Sequence, residues 1–364
     1  MKEITVKNLY TSGKHLKSQK ITIDNGIIQN ITPCNPEHYD YENLAPALVD
    51  IHLNGGEEYH FTASPTLDAL EDIDQASQKK GVAYVLPALI TSSPENILKA
   101  IEVTREYLQH HPNSSIMGLH LEGPFISEKK RGAHIARYVI KPENQLLQEI
   151  IEKGKDIVKM ITIAPEHFSD EQIKMLLASG IKVSLGHSDC SYERAMQAFD
   201  LGVDLVTHLY NAMSPFHHCK PGLVGAALAN PNVYTPVILD GIHADFESVK
   251  IALKLKKDKL FFISDALFLN NIKQDFKWEE FDAKLINGEY INSDGNLAGA
   301  NITMVEALQN AVFQLHLNLE EAIEKCTALP AEIIKFRAGK VEESYPAKFI
   351  SFDSTLQNIK PIYF

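Results

Sequence analysis

The stretch Ile181-Lys-Val-Ser-Leu-Gly-His187 is a short apolar run, typical of a buried strand, that stops at a histidine. Three other runs also end in a polar residue: Ile116-Met-Gly-Leu-His-Leu-Glu122, Val203-Asp-Leu-Val-Thr-His208 and Leu260-Phe-Phe-Ile-Ser-Asp265. Since amphipathic segments separate these runs, we expect parallel strands whose carboxyl ends meet on one rim of a barrel. One carboxylate and two imidazoles there would form a three-ligand metal set with room for a water. The Asp beside them could move a proton of that water.

Short apolar runs alternate with longer amphipathic segments through the middle of the chain. Strands are predicted at residues 47–53, 82–89, 116–121, 158–163, 181–185, 203–207, 233–239 and 260–264. Helices are predicted around 68–80, 95–110, 145–153, 170–179, 191–201 and 245–257, and again at 304–315 and 319–326. Eight strands with intervening helices favour an α/β fold, a TIM-like (β/α)₈ barrel, over an open sheet.

The two ends of the chain have a different pattern, typical of β structure. Ile4-Thr-Val-Lys-Asn-Leu-Tyr10 largely alternates with period two, and Asn25-Gly26 between two apolar runs predicts a hairpin. Ala347-Lys-Phe-Ile-Ser-Phe352 has the same character. We therefore predict a small β-sandwich domain built from residues 1–46 and 340–364, joined by part of 271–300, beside a barrel over 47–339.

Composition narrows the class of protein. The 364 residues are 45% hydrophobic and 23% charged, which is ordinary for a globular protein. A formal net charge of -12 argues against binding to a nucleic-acid backbone, so an anionic ligand would need a local basic pocket. Four cysteines without CxxC spacing indicate free thiols in a reducing compartment. No signal peptide or membrane helix is evident, so we expect a cytoplasmic protein without a membrane partner.

Each polar strand end also has a plain structural explanation. His52 and Asn54, two apart at the end of the first strand, point to the same side and could face a metal, or could simply precede a glycine turn. Glu122 alone could be a helix cap or a surface charge, and a lone histidine on an apolar run is more often a satisfied core residue. Glu122, His187 and His208, however, occur in order at the carboxyl ends of predicted strands, and Asp265 ends the last one. This ordered set favours a metal site over the structural explanations.

From about residue 47 to 304 the chain carries short motifs in a fixed order. They are Ala47-Leu-Val-Asp-Ile-His-Leu-Asn-Gly-Gly56, His120-Leu-Glu-Gly-Pro124, Gly132-Ala-His134, Ala164-Pro-Glu166, Gly186-His-Ser188, Thr207-His-Leu-Tyr-Asn-Ala-Met213, Asp240-Gly-Ile-His243, Ser264-Asp-Ala266 and Leu297-Ala-Gly-Ala-Asn-Ile-Thr-Met304. Each motif is weak, but in this order they resemble the N-acetylglucosamine-6-phosphate deacetylases of the amidohydrolase superfamily. The β-rich flanks resemble that family's small domain.

The resemblance implies roles for individual residues. Glu122, His187 and His208 would bind one divalent metal, zinc, which lowers the pKa of a bound water toward ~7. Asp265 would accept the proton of that water and pass it to the departing amine. His134 would lie near the acyl carbonyl, where a donor can stabilise an oxyanion. Further substrate contacts implied by the resemblance are Ala133, Asn211, Ala212, His243, Leu297, Ala298 and Gly299. The products would be acetate and an amino sugar.

The first strand departs from a common pattern of the superfamily. Many amidohydrolases carry His-x-His there and bind two metals, whereas some deacetylases of this family have Gln-x-Asn and work with one. This chain has His52 and Asn54, and Asn is a poor metal ligand compared with imidazole. We therefore expect one tightly held metal and a weak or absent second, with His52 as a possible ligand.

A second departure concerns substrate recognition. Cys219 stands where the family usually has an Arg that grips the sugar phosphate, often across a dimer interface, and a thiol cannot make that bidentate contact. Lys220 could supply a point charge instead, and the resemblance implies a homodimer. Alternatively, the substrate is a different or unphosphorylated N-acetyl amino sugar or another N-acyl compound. A barrel that serves only as an interaction scaffold is a third hypothesis.

Overall fold

A barrel of parallel strands is the largest part of the computed structural model, which describes residues 1–269 and 273–364. Five strands pair in chain order: Leu48–Leu53, Val82–Ile90, Leu119–Glu122, Val158–Ile163 and Lys182–Leu185. Thr235–Ile238 and Leu260–Ile263 form a second parallel pair. Nearly all of these strand residues are buried, as expected when helices cover a parallel sheet.

Short bridges close the barrel between the two sheets. Leu205 and Val206 link them, since Val206 pairs with Leu185 and Leu205 pairs with Tyr234. On the other side, Leu53 pairs with Ala266. The predicted strand at 203–207 is therefore present only as two bridging residues, because the backbone turns into the left-handed region at His208. The expected α/β barrel is confirmed.

The helices lie between the strands, close to their predicted positions. They are Leu67–Lys79, Pro94–His110, Asn144–Lys153, Asp170–Ala178, Tyr192–Asp200, Phe246–Lys256, Met304–Phe313 and Leu319–Cys326. Two of them begin at sequence-readable caps, since the Ser93 and Ser169 side chains each accept a backbone N–H in the first turn. Among the described residues no helix is long and apolar enough to cross a membrane.

Two further α-helices were not predicted from the sequence. Gly222–Ala229 is almost wholly buried and apolar on all sides, so it lacks the period that marks an amphipathic helix. Ala328–Ile333 contains Pro330, which argues against a helix in a sequence pattern. Short 3₁₀ turns occur at Glu128–Lys130, Ala136–Tyr138, Pro165–His167 and Lys257–Lys259.

Both ends of the chain join in one six-stranded sheet, here called the terminal sheet. Its spatial order is Lys360–Tyr363, Lys348–Phe352, Tyr41–Pro46, Lys2–Thr11, Lys14–Asp24 and Ile27–Pro33. Asn25 and Gly26 both have positive φ, 47° and 73°, as the predicted two-residue hairpin turn requires. A small β domain made from both termini is thus confirmed, while its exact boundaries at 46 and 340 stay a prediction.

A second small sheet, the insertion sheet, follows the last barrel strand. It consists of Asp275–Trp278, Phe281–Ile286 and Glu289–Ile291, which pair with one another and not with the terminal sheet. The prediction that part of 271–300 returns to the small domain is therefore wrong, and residues 271 and 272 lie outside the described residues. The physical reason is apolar packing, because Phe281 and Tyr290 are buried in a cluster with residues of the barrel mouth.

Candidate metal centre and active-site cavity

A cavity of about 480 Å³ opens at the carboxyl-terminal rim of the barrel. Most of the site residues predicted from the sequence line it: Glu122, Ala133, His134, His187, His208, Asn211, Ala212, His243, Asp265, Leu297, Ala298 and Gly299. His52 lies beneath the cavity floor and is fully buried, whereas Cys219 and Lys220 are exposed and outside the lining. The strand-end residues thus come together as the sequence predicts.

Glu122, His187 and His208 form a tight buried cluster at the floor of the cavity. The Glu122 Oε1 atom lies 3.1 Å from His187 Nε2 and 3.0 Å from His208 Nε2. The two Nε2 atoms are 3.2 Å apart. Bonds of roughly 2.0–2.1 Å in tetrahedral geometry separate zinc donors by roughly 3.3–3.4 Å, so these spacings suit one ion.

Protonation of the cluster also fits a cation at its centre. His187 Nδ1 lies 2.9 Å from the Lys130 carbonyl, so a neutral His187 donates there and leaves its Nε2 lone pair facing the cluster. The Nδ1 atom of His208 is buried and has no hydrogen-bond partner among the described residues. Burial opposes ionisation of Glu122, but His52 and His187 hold the pKa of this carboxyl well below its usual range. Two imidazoles and a carboxylate therefore converge as ligands of a divalent metal.

Asp265 stands beside this cluster and is held by two residues at the end of the first barrel strand, His52 within it and Asn54 directly after it. The Asn54 amide donates to Asp265 Oδ1 at 2.8 Å. His52 Nε2 lies 3.3 Å from the same oxygen and 3.2 Å from Glu122 Oε2. Burial lowers the pKa of His52, but Glu122 and Asp265 outweigh it and raise that pKa to about 9. His52 and Asn54 therefore orient the two carboxylates.

His134 lies against the metal cluster from the opposite wall. Its ring centroid is 4.3 Å from that of His187, and its Nε2 atom is 3.7 Å from Glu122 Oε2. Burial, together with nearby His187, lowers the pKa of His134 to about 4, so the ring is neutral near pH 7. Its Nδ1 atom lies 2.9 Å from the Thr91 hydroxyl, which fixes the ring plane.

His243 is held at the cavity wall by an ion pair. Its Nδ1 atom lies 2.6 Å from Asp240 Oδ2. Burial opposes the charge on each partner, but their contact raises the pKa of His243 and lowers the pKa of Asp240. The ring lines the cavity, as Asn211 and Ala212 also do.

Three residues of the site occupy backbone conformations that cost energy. His187, His208 and Asp265 have φ values of 47°, 30° and 48°, in the left-handed region that residues with a Cβ rarely adopt. Each directly follows a buried run at the end of a barrel strand. The turn there aims the side chain into the cavity, and such strain is typical of functional sites.

Two features of the cavity were not predicted from the sequence. Lys129, Lys130 and Arg131 are contiguous cationic residues at its mouth. Their signal was available, since this basic run directly precedes the Gly132-Ala-His134 motif. His60 also lines the cavity, stacked on Phe276 with ring centroids 5.1 Å apart. Burial, with His134 and Lys273 nearby, lowers the pKa of His60 to about 3, and no sequence signal distinguishes this residue from other histidines.

A barrel with a buried carboxylate, two imidazoles and an adjacent Asp on its rim is typical of metal-dependent hydrolases. The amidohydrolase family model matches residues 43–364. The chain belongs to the amidohydrolase superfamily, whose members are metal-dependent, and within it to the N-acetylglucosamine-6-phosphate deacetylase family. The resemblance inferred from the motifs is thereby confirmed.

Relatives match over most of their length. The chain is 33% identical to the N-acetylglucosamine-6-phosphate deacetylase of Haemophilus influenzae, over 96% of this chain and 95% of that protein. It is 35% identical to the N-acetylgalactosamine-6-phosphate deacetylase of a Shewanella species, over 85% of this chain and 79% of that protein. The crystal structure of the Pasteurella multocida N-acetylglucosamine-6-phosphate deacetylase is 31% identical, with a TM-score of 0.90 over 98% of this chain and 97% of that one.

Proposed function

We propose that this chain hydrolyses the acetamide of an N-acetyl amino-sugar 6-phosphate, giving acetate and the free amino-sugar phosphate. N-acetylglucosamine 6-phosphate is the first candidate substrate, as the names of two of the relatives described above suggest. The observation that carries the proposal is the buried Glu122, His187 and His208 cluster with Asp265 beside it at the cavity floor. A scaffold would have no reason to retain this arrangement.

Glu122, His187 and His208 would hold one divalent metal, and we propose zinc. Two imidazole nitrogens and one carboxylate oxygen suit zinc and leave a coordination position open. When bound, the metal supplies Lewis-acid chemistry that lets a water lose its proton near neutral pH. His52 and Asn54 engage carboxylates, which supports a single metal rather than two. Elemental analysis of the purified protein tests both the identity of the metal and the number of ions per chain.

Asp265 would carry the proton during hydrolysis. As a carboxylate it accepts the proton of the attacking water, and it later protonates the departing amine, which is a poor leaving group until protonated. The Asn54 amide and His52 hold its Oδ1 atom, which leaves the other oxygen for proton transfer. The exposed fraction of its side chain is only 14%, so bulk water competes little for the proton.

His134 would stabilise the acyl oxygen as negative charge develops. The Thr91 hydroxyl lies 2.9 Å from His134 Nδ1 and 3.3 Å from the Glu122 carbonyl. This role requires the tautomer in which the hydroxyl donates to Nδ1 instead of to that carbonyl, so that Nε2 carries the proton. The lowered pKa keeps this ring neutral, so its N–H would stabilise the oxyanion by a hydrogen bond and would not transfer its proton to it. Ala133 lies next to it in the cavity lining.

The sugar would lie against the remaining walls of the cavity. Asn211, Ala212 and His243 line one side of it, and the loop at 297–299 lines another. The phosphate would meet Lys129, Lys130 and Arg131, the cationic run at the mouth. A chain with a formal net charge of -12 needs such a local positive region to attract an anion. Cys219 and Lys220 lie outside this cavity lining, so we assign them no phosphate contact within one chain.

Comparing three substrates tests the proposal. We expect kcat/KM for N-acetylglucosamine 6-phosphate to exceed that for unphosphorylated N-acetylglucosamine by at least tenfold, since a contact to a charged group contributes ~1.5–3 kcal/mol. N-acetylgalactosamine 6-phosphate is the third substrate, because one relative bears that name. Equal efficiency with the unphosphorylated sugar would refute phosphate recognition. No hydrolysis of any acetamido sugar, with metal bound, would favour another N-acyl substrate or a scaffold.

We also propose a cytoplasmic homodimer. The family resemblance supports the dimer, and Phe216, which is 62% exposed, offers an apolar contact on the surface. A phosphorylated substrate supports a cytoplasmic location of the protein, because a charged sugar does not cross a bilayer unaided. Light scattering in solution should give twice the chain mass of 40.7 kDa, and a mass of 40.7 kDa would refute the dimer.

A further inference from the structure

A tight turn at residues 217–220 brings three potential metal ligands together on the surface. His217 and Lys220 exchange both backbone hydrogen bonds, so His218 and Cys219 form the tip of a two-residue hairpin. His217, His218 and Cys219, here called the hairpin cluster, each offer one ligand atom, and these atoms lie within 4.8 Å of one another. All three residues are exposed.

The conformation of the turn keeps the three side chains on one side. The Cys219 backbone N–H donates to His217 Nδ1 at 3.2 Å. The rings of His217 and His218 lie 4.2 Å apart between centroids. His217 and Cys219 are thus joined by a hydrogen bond, and the His218 ring contacts the His217 ring at an angle of 37°. Metal binding would bring the donors from their spacing of at most 4.8 Å to the roughly 3.3–3.8 Å of tetrahedral zinc geometry by rotation of the exposed side chains.

We propose that His217, His218 and Cys219 form a second metal site, for Zn²⁺ or a similar borderline divalent ion, separate from the catalytic centre. A thiolate and two imidazoles are donors that such ions prefer, and water would complete a tetrahedron. Binding displaces one proton from the Cys219 thiol to solvent. All three donors come from one chain, so the site does not depend on a dimer. None of the three lines the catalytic cavity.

The site is joined to the cavity wall by a short segment of chain. Ala212 lines the cavity, and Ser214 follows it, accepting the Leu223 backbone N–H at 2.7 Å at the start of helix Gly222–Ala229. The hairpin cluster lies between Ser214 and that helix. A metal at the tip would therefore cross-link the part of this connection that has no buried residue, positions 215–221.

Metal stoichiometry gives the first test on the full-length protein. Each variant is dialysed against Zn²⁺, desalted and analysed for zinc per chain. We expect the wild type to hold one equivalent more than Cys219→Ser and than the double variant His217→Ala, His218→Ala. Cys34→Ser is the matched control, because Cys34 is the other cysteine that is not buried, and it should retain the wild-type stoichiometry. Equal zinc content in the wild type and Cys219→Ser would overturn the proposal.

Alkylation gives a second readout that does not depend on activity. Added Zn²⁺ should slow iodoacetamide modification of Cys219 at least tenfold and leave Cys34 unaffected. The histidine double variant should lose most of that protection, since a thiolate alone binds the ion weakly. Protection that stays unchanged without the two imidazoles would contradict a three-ligand site. With Co²⁺ as probe, a thiolate charge-transfer band should be present in the wild type and absent in Cys219→Ser.

Discussion

At the scale of single residues, the metal site is attached to strained backbone. His187, His208 and Asp265 all have φ between 30° and 48°. A residue with a Cβ in this region costs ~1–2 kcal/mol relative to right-handed conformations. Without metal, the folded state carries this cost with no compensating ligand bond.

Paired substitutions of His208 isolate the cost of the left-handed conformation. Both His208→Ala and His208→Gly remove the imidazole, but only glycine adopts φ of 30° freely. We expect the metal-free glycine variant to have a free energy of unfolding about 1 kcal/mol higher than the alanine variant, measured by urea denaturation.

His120 is the control for that pair. It is a buried strand residue and does not have positive φ. At this position glycine should be less stable than alanine by about 0.5–1 kcal/mol, because glycine loses more backbone entropy. If the glycine and alanine variants rank in the same order of stability at positions 208 and 120, the strain argument is refuted.

Asp265→Asn tests the proton carrier. The amide cannot accept or return a proton, so kcat should fall ~10²–10⁴-fold. The three ligand residues are unchanged, so zinc content should stay at the wild-type level. Asp200→Asn, at an exposed helix end, serves as control and should keep full activity. Wild-type turnover in Asp265→Asn would refute the assigned role.

At the scale of elements, the loop at residues 127–131 both orients a metal ligand and carries the cations at the cavity mouth. The Lys130 carbonyl accepts from His187 Nδ1, and the Ser127 N–H donates to the His187 carbonyl at 2.8 Å. The same loop carries the three cations at the cavity mouth. Metal-ligand orientation comes from its backbone, whereas attraction of an anion comes from its side chains.

Lys130→Ala separates these tasks, because it removes the charge and keeps the carbonyl. We expect KM for N-acetylglucosamine 6-phosphate to rise about tenfold, the effect of losing ~1.5 kcal/mol from a charged contact. Efficiency with the unphosphorylated sugar should stay unchanged. The exposed Lys141, outside the catalytic cavity, provides the control variant Lys141→Ala. A parallel loss on both sugars would mean that the loop itself has moved.

Sequence patterns predict elements well where side chains follow a clear period. The helices after Ser93 and Ser169 could be predicted, because their caps and apolar stripes agree. The helix Gly222–Ala229 could not, since its burial on all sides removes the period. Glu122, His187, His208 and Asp265 could be predicted because each ends an apolar run. His60 reaches the cavity through loop geometry, which no local period encodes. The cationic run at 129–131 also lies in a loop, and its only sequence signal is its position directly before the Gly132-Ala-His134 motif.

At the scale of the whole molecule, the metal site links distant parts of the chain. Glu122 ends one strand of the barrel, His187 comes shortly after another, and His208 follows the bridging residues Leu205 and Val206. A bound ion therefore ties these strands together in the folded state only. Ligands that bind only the folded state raise its stability with their concentration.

Removal of metal should therefore destabilise the protein. At free metal 1,000-fold above Kd, binding adds about 4 kcal/mol, and chelation should remove that amount and lower Tm. Thermal unfolding followed by circular dichroism, with and without chelator, measures the difference. Glu122→Gln weakens the site and should show little response to chelator. A wild-type Tm that chelator does not change would argue against tight metal binding.

The insertion sheet and the barrel contribute different residues to the active-site cavity. Phe281 belongs to this sheet, and the loop at 297–299 follows directly after it, yet both line the cavity. The hydrolytic residues, in contrast, follow barrel strands. Substitutions in the insertion can reshape its part of the sugar-binding wall without replacing any of the bond-breaking residues. Descendants of such a gene would diverge first in the sugar they accept and only later, if at all, in the bond they break.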